Sequence, residues 1–544
     1  MDMNPHMTSF TKPSRYGSAR RRLALLLLLC CTCAGAAVGQ EGGRLALPAS
    51  ADTAWWAGIV NHGHLMPLEP GYEADMDGNL YGNQAQPLLL SNHGHVVWSE
   101  EPLQIRRAGD SLRVASHGGS LAFDRPGRTL REAYLSASRR YFPPTGELPD
   151  PLLFSAPQYN TWIELMYDQN QADILTYARA VVDNGYPPGV LMIDDNWQED
   201  YGKWDFHPGR FTDPKAMVDS LHAMGFKVMM WVCPWVSPDS DVYRLLRDRG
   251  ALLKDATGEP AMVRWWNGAS ALLDFTSPAA TAWFQEQLDY LVEAYGVDGF
   301  KLDGGDAEYY TNVVAHEPVS PNRHSELYGM VGLKYPLNEY RAMWKMGGQP
   351  LAERLRDKAH NWDDLRKLIP HITLQGLSGY AFSCPDMIGG GEYGSFLSAS
   401  TIDQELVVRS AQASALMPMM QFSVAPWRIL DAENHAAVKA AGALRERFDD
   451  RIMALAEQAA VTGEPIVRPM EYVFPHAGYE AVADQFMLGD DVLVAPVLEP
   501  GATSRTILIP PGKWRAWDGS VISGPQRVEM AADVSTLPYF ESVR

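Results

Sequence analysis

Apolar positions change their spacing three times along this chain. From residue 45 to about 153, short apolar runs such as His95-Val96-Val97-Trp98 and Ser111-Leu112-Arg113-Val114 alternate with Gly, Asn, Pro and Asp turns, which predicts a β-sandwich. A Pro-rich stretch from Tyr141 to Pro157 marks its end. From 154 to 430 the pattern becomes strand, loop, helix, repeated. Strands are expected at Thr161–Tyr167, Gly189–Asp195, Lys227–Val236, Ala271–Phe275, Val297–Asp303, Tyr380–Asp386 and Met419–Ala425. Helices are expected at Ala172–Val182, Pro214–Met224, Val242–Arg249 and Ala279–Tyr295, while Tyr340–Met346 fits either state. Near-continuous apolar strands alternating with amphipathic helices indicate a parallel sheet buried on both faces. Seven or eight such units over this length predict a closed (β/α)8 barrel, an α/β fold. A helical connection over 431–464 then leads to a C-terminal β domain over 465–544, with strand signals at Pro465–Arg468, Asp491–Pro496 and Thr506–Pro510.

Residues 1–40 read differently. Arg20, Arg21 and Arg22 precede the apolar run Leu23–Leu29, and small residues follow around Ala34–Gly39. A basic start, a short apolar middle and small residues near a cut site predict a secretory signal peptide, so the protein is expected to be secreted or periplasmic. Acylation of Cys33 would make it a lipoprotein, the one route by which a membrane partner is expected.

Composition narrows the partners. The 66 Asp and Glu against 46 Lys and Arg give a formal charge of −20, which repels phosphate backbones and argues against nucleic acid. Of five Cys, three lie in the leader, leaving Cys233 and Cys384. Two cysteines in apolar runs suggest buried thiols rather than a disulfide framework. No Cys/His cluster has metal-ligand spacing, so neither metal nor cofactor is expected.

In a parallel barrel, chemistry gathers where the strands end. The expected strands end in Asp194-Asp195, in Trp231 to Trp235, in Asp303 and in Asp386. Gly299-Phe300-Lys301-Leu302-Asp303-Gly304-Gly305-Asp306 is the most informative segment. Lys301 and Asp303 share one face of the strand end, and a neighbouring cation favours the carboxylate form that a nucleophile needs. A paired-carboxylate glycoside hydrolysis also requires a protonated partner. The residues alone leave a pool for that role: Asp306, Glu308, Asp357, Asp363, Asp364 and Asp386.

Several segments, taken in order from about 155 to 510, resemble glycoside hydrolase family 31, and more narrowly its α-galactosidase-like branch. They include Ile193-Asp194-Asp195-Asn196-Trp197, Trp231-Val232-Cys233-Pro234, Arg264-Trp265-Trp266-Asn267-Gly268, Phe300-Lys301-Leu302-Asp303 and Cys384-Pro385-Asp386-Met387-Ile388-Gly389-Gly390. Met417-Pro418-Met419-Met420-Gln421-Phe422-Ser423 and Val494-Ala495-Pro496-Val497-Leu498 continue the series. The resemblance implies a retaining, exo-acting α-glycosidase with Asp303 as nucleophile and Asp357 as acid/base, Asp363 or Asp364 being the fallbacks. Asp357 is expected to be kept neutral by burial and by nearby carboxylates. The resemblance further implies sugar binding by Asp194, Asp195, Lys301, Arg341 and Asp386, with Trp231 and Trp266 walling the inner pocket.

Two departures from the family's α-glucosidases bear on substrate. Lys301 stands where those enzymes place an aromatic residue, and Gln421-Phe422-Ser423 stands where they tend to carry Arg-Asn-His. Both alter the inner pocket and count against glucose specificity, and a Lys that can donate to an axial hydroxyl suits galactose, so a terminal α-galactoside is the expected substrate. The alternatives are an α-glucosidase, an α-xylosidase, a sulfosugar hydrolase or an inactive carbohydrate-binding protein. A metal-dependent barrel hydrolase would need His at the strand ends, and the expected ends offer none.

Overall fold

The computed structural model describes residues 42–48, 50, 52–398 and 402–543. The expected signal peptide, with Cys33, lies outside the described residues. Eight parallel strands form the central sheet: β1 (Gln158–Asn160), β2 (Val190–Ile193), β3 (Lys227–Val232), β4 (Gly299–Leu302), β5 (Leu337–Tyr340), β6 (Glu353–Arg354), β7 (Ser383–Cys384) and β8 (Gln421–Phe422). Each pairs with the next through β7, and β8 pairs with β1. A single parallel bridge, Met387 to Gln421, joins the remaining seam and closes the (β/α)8 barrel.

The strands are short and, apart from Lys227 at the start of β3, completely buried. Helices cover them from outside, several of them started by a side chain that takes an otherwise unpaired backbone N–H. Asn170 caps Gln171–Asp183, Asp213 caps Pro214–Ala223 and Asp403 caps Gln404–Ala415. The connection after the barrel is one helix, Ala432–Thr462, capped by Asp431 and ended at Gly463, whose φ of 75° suits glycine. Cys233 and Cys384 are buried free thiols.

Two expected strands are something else. Thr161–Tyr167 holds a helical turn, Trp162–Leu165, because β1 ends at Asn160, whose side-chain oxygen accepts from the Trp162 N–H. Ala271–Phe275 is apolar because it packs on the core, yet it belongs to no barrel strand. Gly268–Leu272 runs antiparallel between Trp235–Val236 and Met262–Trp265 in an excursion that follows β3. The two-residue turn of that hairpin is Trp266-Asn267. In the ambiguous segment, β5 ends at Tyr340, and Met343–Trp344 then pairs with Gln84-Ala85 of the N-terminal β-rich region.

That region contains a sheet in the order Arg44–Pro48, Ser111–Ser116, Leu103–Ala108, Glu73–Asp75. A second sheet is built around Gln84–Ser91 and accepts the barrel's Met343–Trp344 at one side. At the other end of the chain six antiparallel strands between Val467 and Val543 form the C-terminal β domain. Among the described residues no helix is long and apolar enough to cross a membrane.

Candidate active site

A hollow of about 600 Å³ opens where the barrel strands end. Asp194 and Asp195 follow β2, Trp231 lies within β3, Lys301 lies within β4 and Asp303 follows it, Arg341 follows β5, and Arg354 ends β6. Asp357 stands three residues beyond Arg354, and Met387 three beyond β7. Asn61, Tyr81 and Gly82 of the N-terminal region complete the wall. Eight of the nine site residues expected from sequence border this one hollow: Asp194, Asp195, Trp231, Trp266, Lys301, Asp303, Arg341 and Asp357.

Asp303 is buried and held by three hydrogen bonds. Its Oδ1 accepts from Arg341 Nε (3.0 Å) and the Gly304 N–H (2.9 Å), and its Oδ2 accepts from Trp231 Nε1 (3.1 Å). Burial pushes its carboxyl up, but Arg341, Lys301 and Arg354 outweigh that and hold it well below the usual carboxylate range. It is an ionised, immobilised anion. The cation in direct contact is Arg341, not Lys301. Lys301 instead pairs with Asp194, Nζ to Oδ2 at 2.7 Å, with both side chains buried.

Arg341 also spans Asp306, Nη1 to Oδ1 at 2.9 Å and Nη2 to Oδ2 at 2.7 Å, and donates to the Gly82 carbonyl at 2.8 Å. These bonds make it an internal clamp for the nucleophile loop, and it borders the hollow as well. Asp195 is different again. Burial first, then the adjacent Asp194, pushes its carboxyl up to about 7, although Tyr201 Oη donates to it at 3.2 Å.

Asp357 departs from the expectation of burial. Its side chain is 37% exposed, and its Oδ1 accepts from Arg354 Nη1 at 2.6 Å. The protein alone therefore does not enclose it. Asp363 is 85% exposed and bonded to Arg366, and Asp364 is bonded to Lys367 and the Ala359 N–H. Neither fallback borders the hollow.

Asp386, expected as a sugar ligand, does not border the hollow either. It lies behind Arg354, whose Nη1 donates to its Oδ1 at 2.7 Å, while the Lys358 N–H donates to its Oδ2 at 2.7 Å. Its backbone sits at φ 87°, a conformation that a non-glycine residue holds only when its surroundings enforce it.

Aromatic faces line the outer part. Trp266, 47% exposed at its hairpin tip, meets Trp265 and Trp235 edge-on, and Arg341 lies over its ring at 5.5 Å. Trp162 and Tyr393 meet edge-on elsewhere in the wall. Sequence reasoning missed Arg354, Tyr81, Gly82, Glu392 and Tyr393. Arg354 stands three residues before Asp357, and a cation at that distance from the expected acid was the available signal. Among the described residues no group of three or more His, Cys, Asp or Glu side chains is arranged to hold a metal.

Comparisons with known proteins agree with this fold. The model of the glycosyl hydrolases family 31 TIM-barrel domain matches residues 152–450, and that of the family 31 C-terminal domain matches 463–542. The chain is 35% identical over 419 residues to the myogenesis-regulating glycosidase of Mus musculus, covering 74% of this chain and 58% of that protein. It is 29% identical over 352 residues to a 1,3-alpha-isomaltosidase of Kribbella flavida, covering 57% and 47%. It is 25% identical over 506 residues to alpha-xylosidase XylQ of Lactiplantibacillus pentosus, covering 85% and 63%. The chain thus spans between 47% and 63% of the length of these relatives. Among solved structures, a Flavobacterium johnsoniae family 31 dextranase complexed with glucose superposes with a TM-score of 0.80 at 19% identity, over 93% of this chain and 67% of that one. This likeness supports the fold.

Proposed function

The chain belongs to glycosyl hydrolase family 31, and from that premise we propose that it hydrolyses terminal α-linked sugars with retention, preferring α-galactosides. The observation that carries this reading is the chemistry of one hollow. An anion locked by Arg341, Trp231 and the Gly304 N–H borders the same space as an acid with one oxygen bonded to Arg354.

In the first half of the reaction Asp303 attacks the anomeric carbon as Asp357 gives a proton to the departing oxygen. In the second half Asp357 takes a proton from water, and the water oxygen attacks the anomeric carbon from the face that the leaving group vacated, displacing the Asp303 carboxylate and restoring the α configuration. A bound sugar and its leaving group cover Asp357, supplying the enclosure that the protein leaves open. Asp194 and Asp195 would accept from sugar hydroxyls, with Trp231 and Trp266 against the ring faces.

The galactose preference rests on Lys301. Its ammonium has three N–H donors, of which one is given to Asp194, and the others suit an axial hydroxyl. The names of the relatives, isomaltosidase and xylosidase, favour a second reading in which the sugar is glucose or xylose. A panel of aryl α-glycosides, with the product anomer followed by NMR, separates the two. The proposal expects fastest turnover of the galactoside and release of the α-anomer first. A clear preference for the glucoside would overturn the galactose reading, and release of the β-anomer would overturn retention.

A further inference from the structure

We propose that Arg354 is the positioning residue for Asp357, fixing one of its oxygens so that the other meets the leaving group. This rests on the reading of Asp357 as the acid/base.

Asp357 sits on a loop, partly exposed, where a short side chain has rotamers to choose from. Acid catalysis tolerates little of that freedom, since the proton must lie within hydrogen-bond reach of one particular oxygen. Arg354 removes it. The guanidinium is 1% exposed, at the end of β6, with Nε 3.2 Å from Glu339 Oε1 in β5. Its Nη1 donates to the Leu355 carbonyl (3.1 Å), to Asp386 Oδ1 (2.7 Å) and to Asp357 Oδ1 (2.6 Å). Asp386 in turn receives the Lys358 N–H, so the residues on both sides of Asp357 are tied to one carboxylate.

The space around the acid is matched to this arrangement. A Cβ on Gly391 would lie 2.9 Å from Asp386 Oδ1 and 3.1 Å from Asp357 Oδ1, so a larger residue there would push the two carboxylates off their shared arginine. Among the described residues Asp357 Oδ2 accepts no hydrogen bond, and it is the oxygen left for the leaving group. The same arrangement serves the second half of the reaction, where the guanidinium steadies the carboxylate that must take a proton from water.

The test is the dependence of kcat/KM on leaving-group acidity. Wild type, Arg354→Gln, Arg354→Lys and Asp357→Ala are compared on dinitrophenyl and phenyl α-glycosides of the preferred sugar. A dinitrophenolate departs without a proton, whereas a phenolate needs one. Arg354→Gln is expected to stay within about 5-fold of wild type on the dinitrophenyl substrate and to fall about 100-fold on the phenyl substrate, following Asp357→Ala. Arg354→Lys is expected to recover part of the phenyl activity. Azide, attacking the glycosyl–enzyme carbon and freeing the Asp303 carboxylate, is expected to raise kcat of Arg354→Gln and Asp357→Ala and to leave a retained glycosyl azide.

An equal loss of Arg354→Gln on both substrates, with Asp357→Ala still selective, would overturn the proposal and leave Asp357 in its role. If Asp357→Ala shows no selectivity, the assignment of Asp357 fails and this proposal with it. Should Arg354→Gln not fold, Asp386→Asn removes the second anchor while keeping the guanidinium. It is expected to show the same selectivity in milder form, and a uniform loss would overturn the proposal.

Discussion

Replacing Lys301 by Met removes a charge from the middle of the barrel and keeps most of the side-chain volume. The ammonium lies 2.7 Å from Asp194 Oδ2, and the two side chains are 4% and 3% exposed. At that separation the gross attraction is about 6 kcal/mol for an effective dielectric near 20, most of it offset by the cost of taking both ions out of water. Breaking such a pair by deleting one partner leaves a buried anion alone and costs about 3–5 kcal/mol. Deleting both ions together, as in Lys301→Met with Asp194→Asn, avoids that isolated charge and is expected to cost much less. Unfolding entropy of about 2.1 cal/mol/K per residue, over roughly 500 residues melting together, gives about 1 kcal/mol per degree. The single variant is therefore expected to melt about 3–5 °C below wild type, with the double variant recovering at least half of the loss. Scanning calorimetry at fixed pH and scan rate measures this. If the double variant loses the sum of the two single losses, to within about 0.5 kcal/mol, the pair is not coupled and the argument for a preformed Lys301–Asp194 unit fails.

Two further outcomes follow from the same site. Asp303→Asn keeps the shape but not the charge, and turnover is expected to fall on the order of 10³-fold or more; near wild-type turnover would remove Asp303 from the mechanism. Asp195 gives a pH signature. Its carboxyl is raised to about 7 by burial and by Asp194, so the folded protein holds that proton more tightly than the unfolded chain does. The stability this contributes is full below about pH 4 and is lost as pH rises through about 7, on the order of 4 kcal/mol in all. Asp195→Asn lacks this dependence, so its melting temperature relative to wild type is expected to rise from pH 4 to pH 8. A difference that stays flat with pH would contradict the burial argument.

How much of this was legible in the residues depended on how each element announces itself. Asp194, Lys301 and Asp303 end or interrupt strands whose apolar runs are long enough to read, and the barrel follows from repeating that signal. β6 has two residues, Glu353 and Arg354, both charged and both buried. Hydrophobic periodicity cannot find such a strand, because neither residue is apolar: Arg354 is buried against Glu339, Asp357 and Asp386, and burial pushes the Glu353 carboxyl well up toward its neutral form. The role of Arg354 was hidden for the same reason. Ala271–Phe275 shows the opposite failure: its side chains are apolar because they pack under the barrel, and nothing in their spacing distinguishes an antiparallel excursion from a barrel strand. Partner choice in the ion pairs was also out of reach. Lys301 and Asp303 are two apart on one face, yet the closer cation for Asp303 comes from Arg341 across the next strand.

The pairing of Met343–Trp344 with Gln84-Ala85 changes what counts as the catalytic unit. Asn83 and Gln84 side chains donate to the carbonyls of Arg341 and Arg354, and Asn61, Tyr81 and Gly82 close the wall. A barrel expressed without the N-terminal sheets would lose both the struts under its two key arginines and part of the container itself. By the same token, the loops of an appended β region are a place where substrate shape can be retuned while the aspartates stay where they are.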